Sequence, residues 1–208
     1  NPGTVYNPLF IYGNTGLGKT HLIQAIGNTI RENHIGKRVL YTSLEKFYND
    51  FVDATQKNRQ GYFKEKYRKY DVLIMDDIQF IVSKERTQDE LFHLFNALHQ
   101  DNKQIIFSSD KHPNMIVGLE DRLKSRFSSG MIIDVNHPDI ESRTVILSEK
   151  TKHARNFIGM EIINFVAEHI TGNIRELDAI ANLILCHTEI KKEPISIPEV
   201  KHLIKNHI

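Results

Sequence analysis

The sequence has 208 residues, 40% of them hydrophobic, enough to bury an ordinary core in one domain or in a larger domain with a smaller one beside it. Its 27 basic and 26 acidic side chains leave a formal net charge of +1, so there is no overall basic tail, although Lys and Arg gather in KEKYRKY (64–70) and DRLKSRF (121–127). A lone cysteine, Cys186, excludes an internal disulfide and a cysteine-based metal cluster. The apolar runs are too short to span a bilayer, and NPGTVYNPLF lacks the regions of a signal peptide, so a soluble cytoplasmic protein is expected.

Short apolar runs alternate with longer helical patterns in the first two thirds of the chain. The runs PLFIY (8–12), RVLYT (38–42), DVLIMD (71–76), QIIFSS (104–109) and MIIDV (131–135) predict five strands. Helices are predicted from Lys19 to about Glu32, Leu44 to about Ala54, Thr87 to about Asp101 and, as a short one, around Leu119–Ser125. This alternation predicts an α/β fold, a parallel sheet flanked by helices. After NHPD (136–139) no strand-like run follows. Helices are predicted at Ile140 to about Asn156, Ile162–His169, Asn173 to about Glu189 and Ile197–Ile204, with TGN (171–173) as a break and cap and a proline in the first turn of the last helix. A boundary is therefore expected near His137, with an α/β domain over 1–137 and a small all-helical domain over 138–208.

Gly13, Gly16, Gly18, Lys19 and Thr20 fit the phosphate-loop pattern G-x-x-x-x-G-K-[ST], and a predicted strand precedes them while a helix follows. Backbone N–H groups of such a loop cradle phosphates at the positive end of the helix. Asn14, Thr15, Gly16, Leu17, Gly18, Lys19, Thr20 and His21 are the candidate nucleotide-binding residues. Lys19 would reach the β and γ phosphates of ATP, and Thr20 would ligate Mg²⁺. The strand VLIMDD (72–77) ends in two carboxylates: Asp76 is the candidate second Mg²⁺ holder, and Asp77 is placed to orient the attacking water. An Asp pair closing a strand is as often a solvated turn, and it is the loop at 13–20 that favours the catalytic reading. The eleven histidines lack the i, i+4 pairing of a zinc helix; His93 and His99 are six apart, on different faces. No serine sits in a G-x-S-x-G context.

Two further features remain open on the residues alone. QIIFSSD ends a strand beside the phosphate loop, where a polar residue could sense the γ-phosphate or merely turn the chain. LEDRLKSRF (119–127) sets Arg122 and Arg126 at i, i+4 on one helix face, where arginines usually solvate a surface but could also meet a neighbouring subunit's phosphate.

Taken in order, YNPLFIYG, TGLGKTHL, DDIQF, KERTQDELFHLFNAL, LEDRLKSRF and GNIREL resemble the AAA+ ATPases, and within them the ATPase region of the DnaA family of bacterial replication initiators. The resemblance implies a five-stranded parallel P-loop domain with a helical lid. It implies that Asp110 is the sensor-1 residue, that Arg126 is an arginine finger presented to the next subunit's ATP, and that Arg175 in GNIREL is the sensor-2 arginine. The long link Ser43–Asp71 exceeds what a βα connection needs, and the resemblance makes it an initiator-specific pair of helices that tilts subunits into an open spiral. It also implies that Val52, Lys84 and Arg86 contact single-stranded DNA; without it, Lys84 and Arg86 would read as a solvated loop.

The function expected is a weak ATPase module that assembles with ATP into an open helical homo-oligomer, engages single-stranded origin DNA, and is dismantled by slow hydrolysis to ADP. The replicative helicase and regulators of initiation are possible partners. The alternative is a helicase loader or initiator regulator acting through a protein partner; a stand-alone NTPase or kinase fits the paired arginines and GNIREL less well. Relative to the family, the chain begins after the segment that clasps adenine and stops before the helix-turn-helix domain. Little sequence-specific duplex binding is expected of it, and a piece of a longer protein is the simplest explanation.

Overall fold

The computed structural model describes residues 2–154 and 157–205. They fall into two units: Asn1–Asn14 with Lys19–Val135, and Thr15–Gly18 with Asn136–Ile208.

The first unit is built on a five-stranded sheet in the order β2-β3-β4-β1-β5, formed by β1 (Leu9–Tyr12), β2 (Val39–Ser43), β3 (Val72–Asp76), β4 (Gln104–Ser109) and β5 (Met131–Asp134). Every pairing is parallel. Each predicted run became a strand, with ends moved by one residue at most. β3 and β4 are buried along their whole length, as expected of central strands covered on both faces, whereas the outer β5 is half exposed.

Side chains alternate across the sheet and sort into two cores. On one face Phe10, Leu73, Met75, Ile105 and Phe107 join Phe95 from α4 (Glu85–Gln100) and Leu123 and Phe127 from α5 (Asp121–Phe127). On the other, Ile11, Val72, Ile74 and Ile106 meet Ile23 of α1 (Lys19–Asn33). The first core is aromatic: Phe107 and Phe127 have centroids 4.5 Å apart, and Phe10 and Phe127 5.5 Å.

The long link after β2 folds into α2 (Leu44–Gln56) and α3 (Gln60–Arg68). Ser43 caps α2, its hydroxyl accepting the Lys46 amide at 3.2 Å. Phe47, Phe63 and Tyr67 close the pair, with centroids 5.0–5.2 Å apart. Periodicity alone did not nominate α3, because QGYFKEKYR presents only Phe63 and Tyr67 to the core and is otherwise charged.

In the second unit, α6 (Ile140–Thr151), α7 (Met160–His169), α8 (Ile174–Lys191) and α9 (Ile197–Leu203) enclose Leu147, Ile162, Val166, Leu177, Ile184 and Val200. Their starts follow local chemistry. Asp139 accepts the Ser142 amide at 2.7 Å, and Asn173 accepts that of Glu176 at 3.0 Å. Ser196 and Glu199 form a capping box with a proline in the first turn. The helix expected over 140–156 differs: α6 ends at Thr151, a 3-10 turn covers 152–154, and 155–156 lie outside the described residues. Among the described residues no helix is long and apolar enough to cross a membrane.

Candidate functional site

The parallel register brings the C-terminal ends of β3 and β4 side by side. Met75 pairs with Phe107, so Asp76 lies next to Ser108, a serine that the sequence reading passed over. Asp76 is 3% exposed and surrounded by donors. Thr20 Oγ1 and the Tyr41 hydroxyl donate to its Oδ2 at 2.7 and 2.8 Å; the Ser108 hydroxyl and, at 3.1 Å, the Asp77 amide donate to Oδ1. The structure thus brings Thr20 and Asp76 together across 56 residues of chain. Tyr41, from the edge strand β2, carries a phenol pushed up to about 12, first by burial and then by its bond to Asp76.

Lys19 is the first residue of α1 and is 8% exposed. Its ammonium donates to the carbonyls of Gly13 at 2.7 Å and Asn14 at 3.0 Å, which holds it across the start of the loop. Asn14, Thr20 and His21 are exposed. Thr15–Gly18 group with the helical unit, where the Gly16 carbonyl accepts the Ile174 amide at 3.0 Å. Gly16 has φ +86° and Gly18 φ +82°, and a Cβ on Gly16 would sit 2.7 Å from the Asn173 side chain, so glycine is required there.

Asp77 takes a left-handed conformation, φ +60°, which turns its carboxylate outward to accept from Gln79 Nε2 at 2.9 Å. Asp110 follows β4 and is partly buried. On α5 the two arginines differ. Arg122 pairs with Asp89 and, at 2.6 Å, with Glu120. Arg126 is exposed, lies 5.9 Å from the Phe92 ring centroid, and has no carboxylate partner among the described residues. Arg175 is the exposed second residue of α8.

A groove of about 460 Å³ on the first unit collects the other candidates: Val52 from α2, with Lys84 and Arg86 from the start of α4, line it together with Tyr48, Phe51 and Thr87. Lys84 does not point freely into solvent. Its ammonium sits 3.9 Å from the Tyr48 ring centroid and 3.7 Å from that of Phe80, and partial burial pulls it below the ordinary lysine range against the opposing field of Glu45. Neither ring was nominated by the sequence: Tyr48 comes from α2, and although Phe80 is only four residues before Lys84, nothing in the local pattern sets its ring against that side chain.

The family model for the bacterial DnaA ATPase domain matches residues 1–134. The chain belongs to that family. Domain III of the replication initiation protein DnaA from Thermotoga maritima is 42% identical, with TM-score 0.93 over 100% of this chain and 87% of that one. AMPPCP-bound DnaA from Aquifex aeolicus is 42% identical, with TM-score 0.79 over 88% of this chain and 57% of that one. A replication initiator DnaA bound to AMPPCP and single-stranded DNA is 40% identical, with TM-score 0.80, and this chain spans 60% of its length. The Holliday junction branch migration motor RuvB of Thermotoga maritima, 16% identical with TM-score 0.71, shares the fold alone. The DnaA relationship makes the chain an ATPase-type domain of the AAA+ fold and a member of the replication-initiator family.

Proposed function

We propose that this chain is an ATP-switched assembly module of replication initiation, which with ATP forms an open helical homo-oligomer and engages single-stranded origin DNA. The observation that carries the reading is the groove. Lys84 and Arg86 stand 32 and 34 residues after Val52 in the chain, yet all three line one surface feature, on a chain related to an initiator bound to AMPPCP and single-stranded DNA. Two cations beside an apolar side chain suit sequence-tolerant binding of a backbone and its sugars or bases.

On this reading residues 1–137 bind the nucleotide, 43–71 are the initiator-specific insertion, and 138–208 are the lid. The loop from Asn14 to His21 holds the phosphates by backbone N–H groups, and Lys19 exchanges its carbonyl partners for β and γ oxygens. Thr20 and Asp76 present a hydroxyl and a carboxylate oxygen 2.7 Å apart, a hard-oxygen pair that fits Mg²⁺, directly or through water. When bound, the ion neutralises charge on the phosphates. Asp77, held outward by Gln79, orients the attacking water by accepting its proton in a hydrogen bond. Asp110 senses the γ-phosphate, and Arg175 contributes from the lid. Arg126, which has no carboxylate partner among the described residues, reaches the ATP of the next subunit and stabilises charge there in trans. ATP acts chiefly as a ligand that favours the assembled state, and slow hydrolysis to ADP reverses it. The replicative helicase and regulators of initiation act on that assembly.

Sedimentation velocity with ADP, with ATP, and with ATP plus a short single strand tests the proposal beside the Arg126→Ala variant. Larger species with ATP that Arg126→Ala cannot form, although it still binds ATP, are expected. A wild type that stays monomeric with ATP demonstrably bound overturns the assembly reading.

A further inference from the structure

The rings beneath Lys84 carry an inference of their own, one that rests on the strand-binding reading of the groove. Tyr48 and Phe80 come from separate places: Tyr48 lies four residues before Val52 on α2, hence on the same face, and Phe80 lies in the 3-10 turn 78–81 that follows Asp77. Their centroids are 6.5 Å apart with the planes inclined at 60°, and the Lys84 ammonium lies within 4 Å of both. Among the described residues no carboxylate oxygen is within ion-pair distance of Lys84. The charge is therefore held by two π faces, which attract a cation without neutralising it and can take at most two of its three N–H groups.

We infer that Tyr48 and Phe80 are positioning residues for strand binding: together they fix the Lys84 ammonium in the groove that Val52 also lines, with its charge unneutralised and an N–H left for a phosphate oxygen. The physical reason is preorganisation. A lysine side chain in solvent gives up rotamer freedom when it grips a phosphate, and one already held between rings gives up less. Arg86, exposed two residues on, has no ring contact of this kind among the described residues and serves as the internal control.

The test is binding of a fluorescent oligo-dT, by anisotropy, to the whole chain in ATP over a range of salt. Tyr48→Leu and Phe80→Leu, which keep apolar bulk but remove the π face, should each weaken binding about three- to tenfold, whereas Tyr48→Phe should stay near wild type. Lys84→Ala should flatten the log–log salt dependence by about 0.7, and Tyr48→Leu should move it in the same direction. On a Lys84→Ala background Tyr48→Leu should cost nothing further, while on Arg86→Ala it should keep its full effect. If Tyr48→Leu and Phe80→Leu bind as wild type although Lys84→Ala does not, the positioning role is wrong and the strand-binding reading stands. If the Tyr48→Leu loss persists on Lys84→Ala, the ring touches the strand itself and the inference is overturned. If Lys84→Ala binds as wild type, the strand-binding reading fails and takes the inference with it. ATP affinity and helix signal, measured on each variant, identify any that misfolds, and should Tyr48→Leu do so, Phe80→Leu, at an exposed side chain, carries the same cycle.

Discussion

Gln88 ties the turn after β3 to the helix that bears Arg126, and its removal should be among the more damaging single changes in the first unit. The side chain is 1% exposed. Its Nε2 donates to the carbonyls of Ile81 and Gly118, both at 3.0 Å, and its Oε1 accepts the Glu120 amide at 2.8 Å. Ile81 closes the turn after Asp77, and Glu120 is the N-cap residue of α5. Gln88→Ala deletes three hydrogen bonds at about 1 kcal/mol net each, a loss of about 3 kcal/mol before any stranded backbone group is added. With a urea dependence of about 2 kcal/mol per molar, the midpoint should fall by about 1.5 M. The sequence has no tryptophan, so far-ultraviolet circular dichroism is the suitable probe. Gln88→Glu separates hydrogen bonding from packing, since it keeps the shape but turns a carboxylate oxygen toward two carbonyls. Burial and those carbonyls would raise its folded pKa above the unfolded value. The variant should then lose stability as pH rises through the raised pKa and regain it on acidification. A loss below about 1 kcal/mol in Gln88→Ala, or a Gln88→Glu protein indifferent to pH, would refute the reasoning.

Other expectations follow from single contacts. Glu199 receives bonds from Lys191 at 2.6 Å and from the Ser196 amide at 3.0 Å, which lower its pKa from 4.5 to about 2. Because the folded value is depressed, its contribution is present above pH 4.5 and lost as pH falls toward 2; the protection factors of the α9 amides, exchange rates corrected for the intrinsic pH dependence, should fall over that window in the wild type and show no such step in Glu199→Gln. Lys19→Ala should raise the ATP dissociation constant by at least about a hundredfold, about 2.7 kcal/mol, in calorimetric titration, and near-normal affinity would remove the phosphate site. Ser108→Ala deletes a fully buried hydroxyl that donates to Asp76 and accepts the Asp77 amide at 3.1 Å. Thermal melts should show about 1–2 kcal/mol of destabilisation, with hydrolysis falling more than ATP affinity; an unchanged melt would show that the pairing carries no stability.

The glycine-rich turn between β1 and α1, the carboxylates closing β3, the five strands and most helix starts were legible because their determinants are contiguous. A phosphate loop is eight neighbouring residues, and a cap such as Asn173 or Ser196 acts on amides two or three positions away. Periodicity of two and of 3.6 carries strand and helix identity without reference to the rest of the chain. Even so, α3 escaped that reading, since a nine-residue helix with only two buried side chains is barely amphipathic and owes its place to packing on Phe47. The family resemblance supplied it instead, as one of the helices of the 43–71 insertion.

Other partnerships were decided only by the tertiary structure. Ser108 and Tyr41 meet Asp76 because parallel register sets β2, β3 and β4 at fixed heights, and nothing in QIIFSS or RVLYT marks one hydroxyl as the partner. Gln88 looks like any polar residue of a helix until the turn at Ile81 and the start of α5 close around it. Lys84 is an ordinary loop lysine in the sequence, and only the approach of α2 to the turn at 78–81 adds the ring of Tyr48 to that of Phe80 beneath it. Local patterns therefore determined which elements form and which residues can do chemistry, because short-range sterics and hydrogen bonds act within a few residues. Which of those residues act together was left to the burial of two sheet faces, whose packing joins segments that the chain itself keeps far apart.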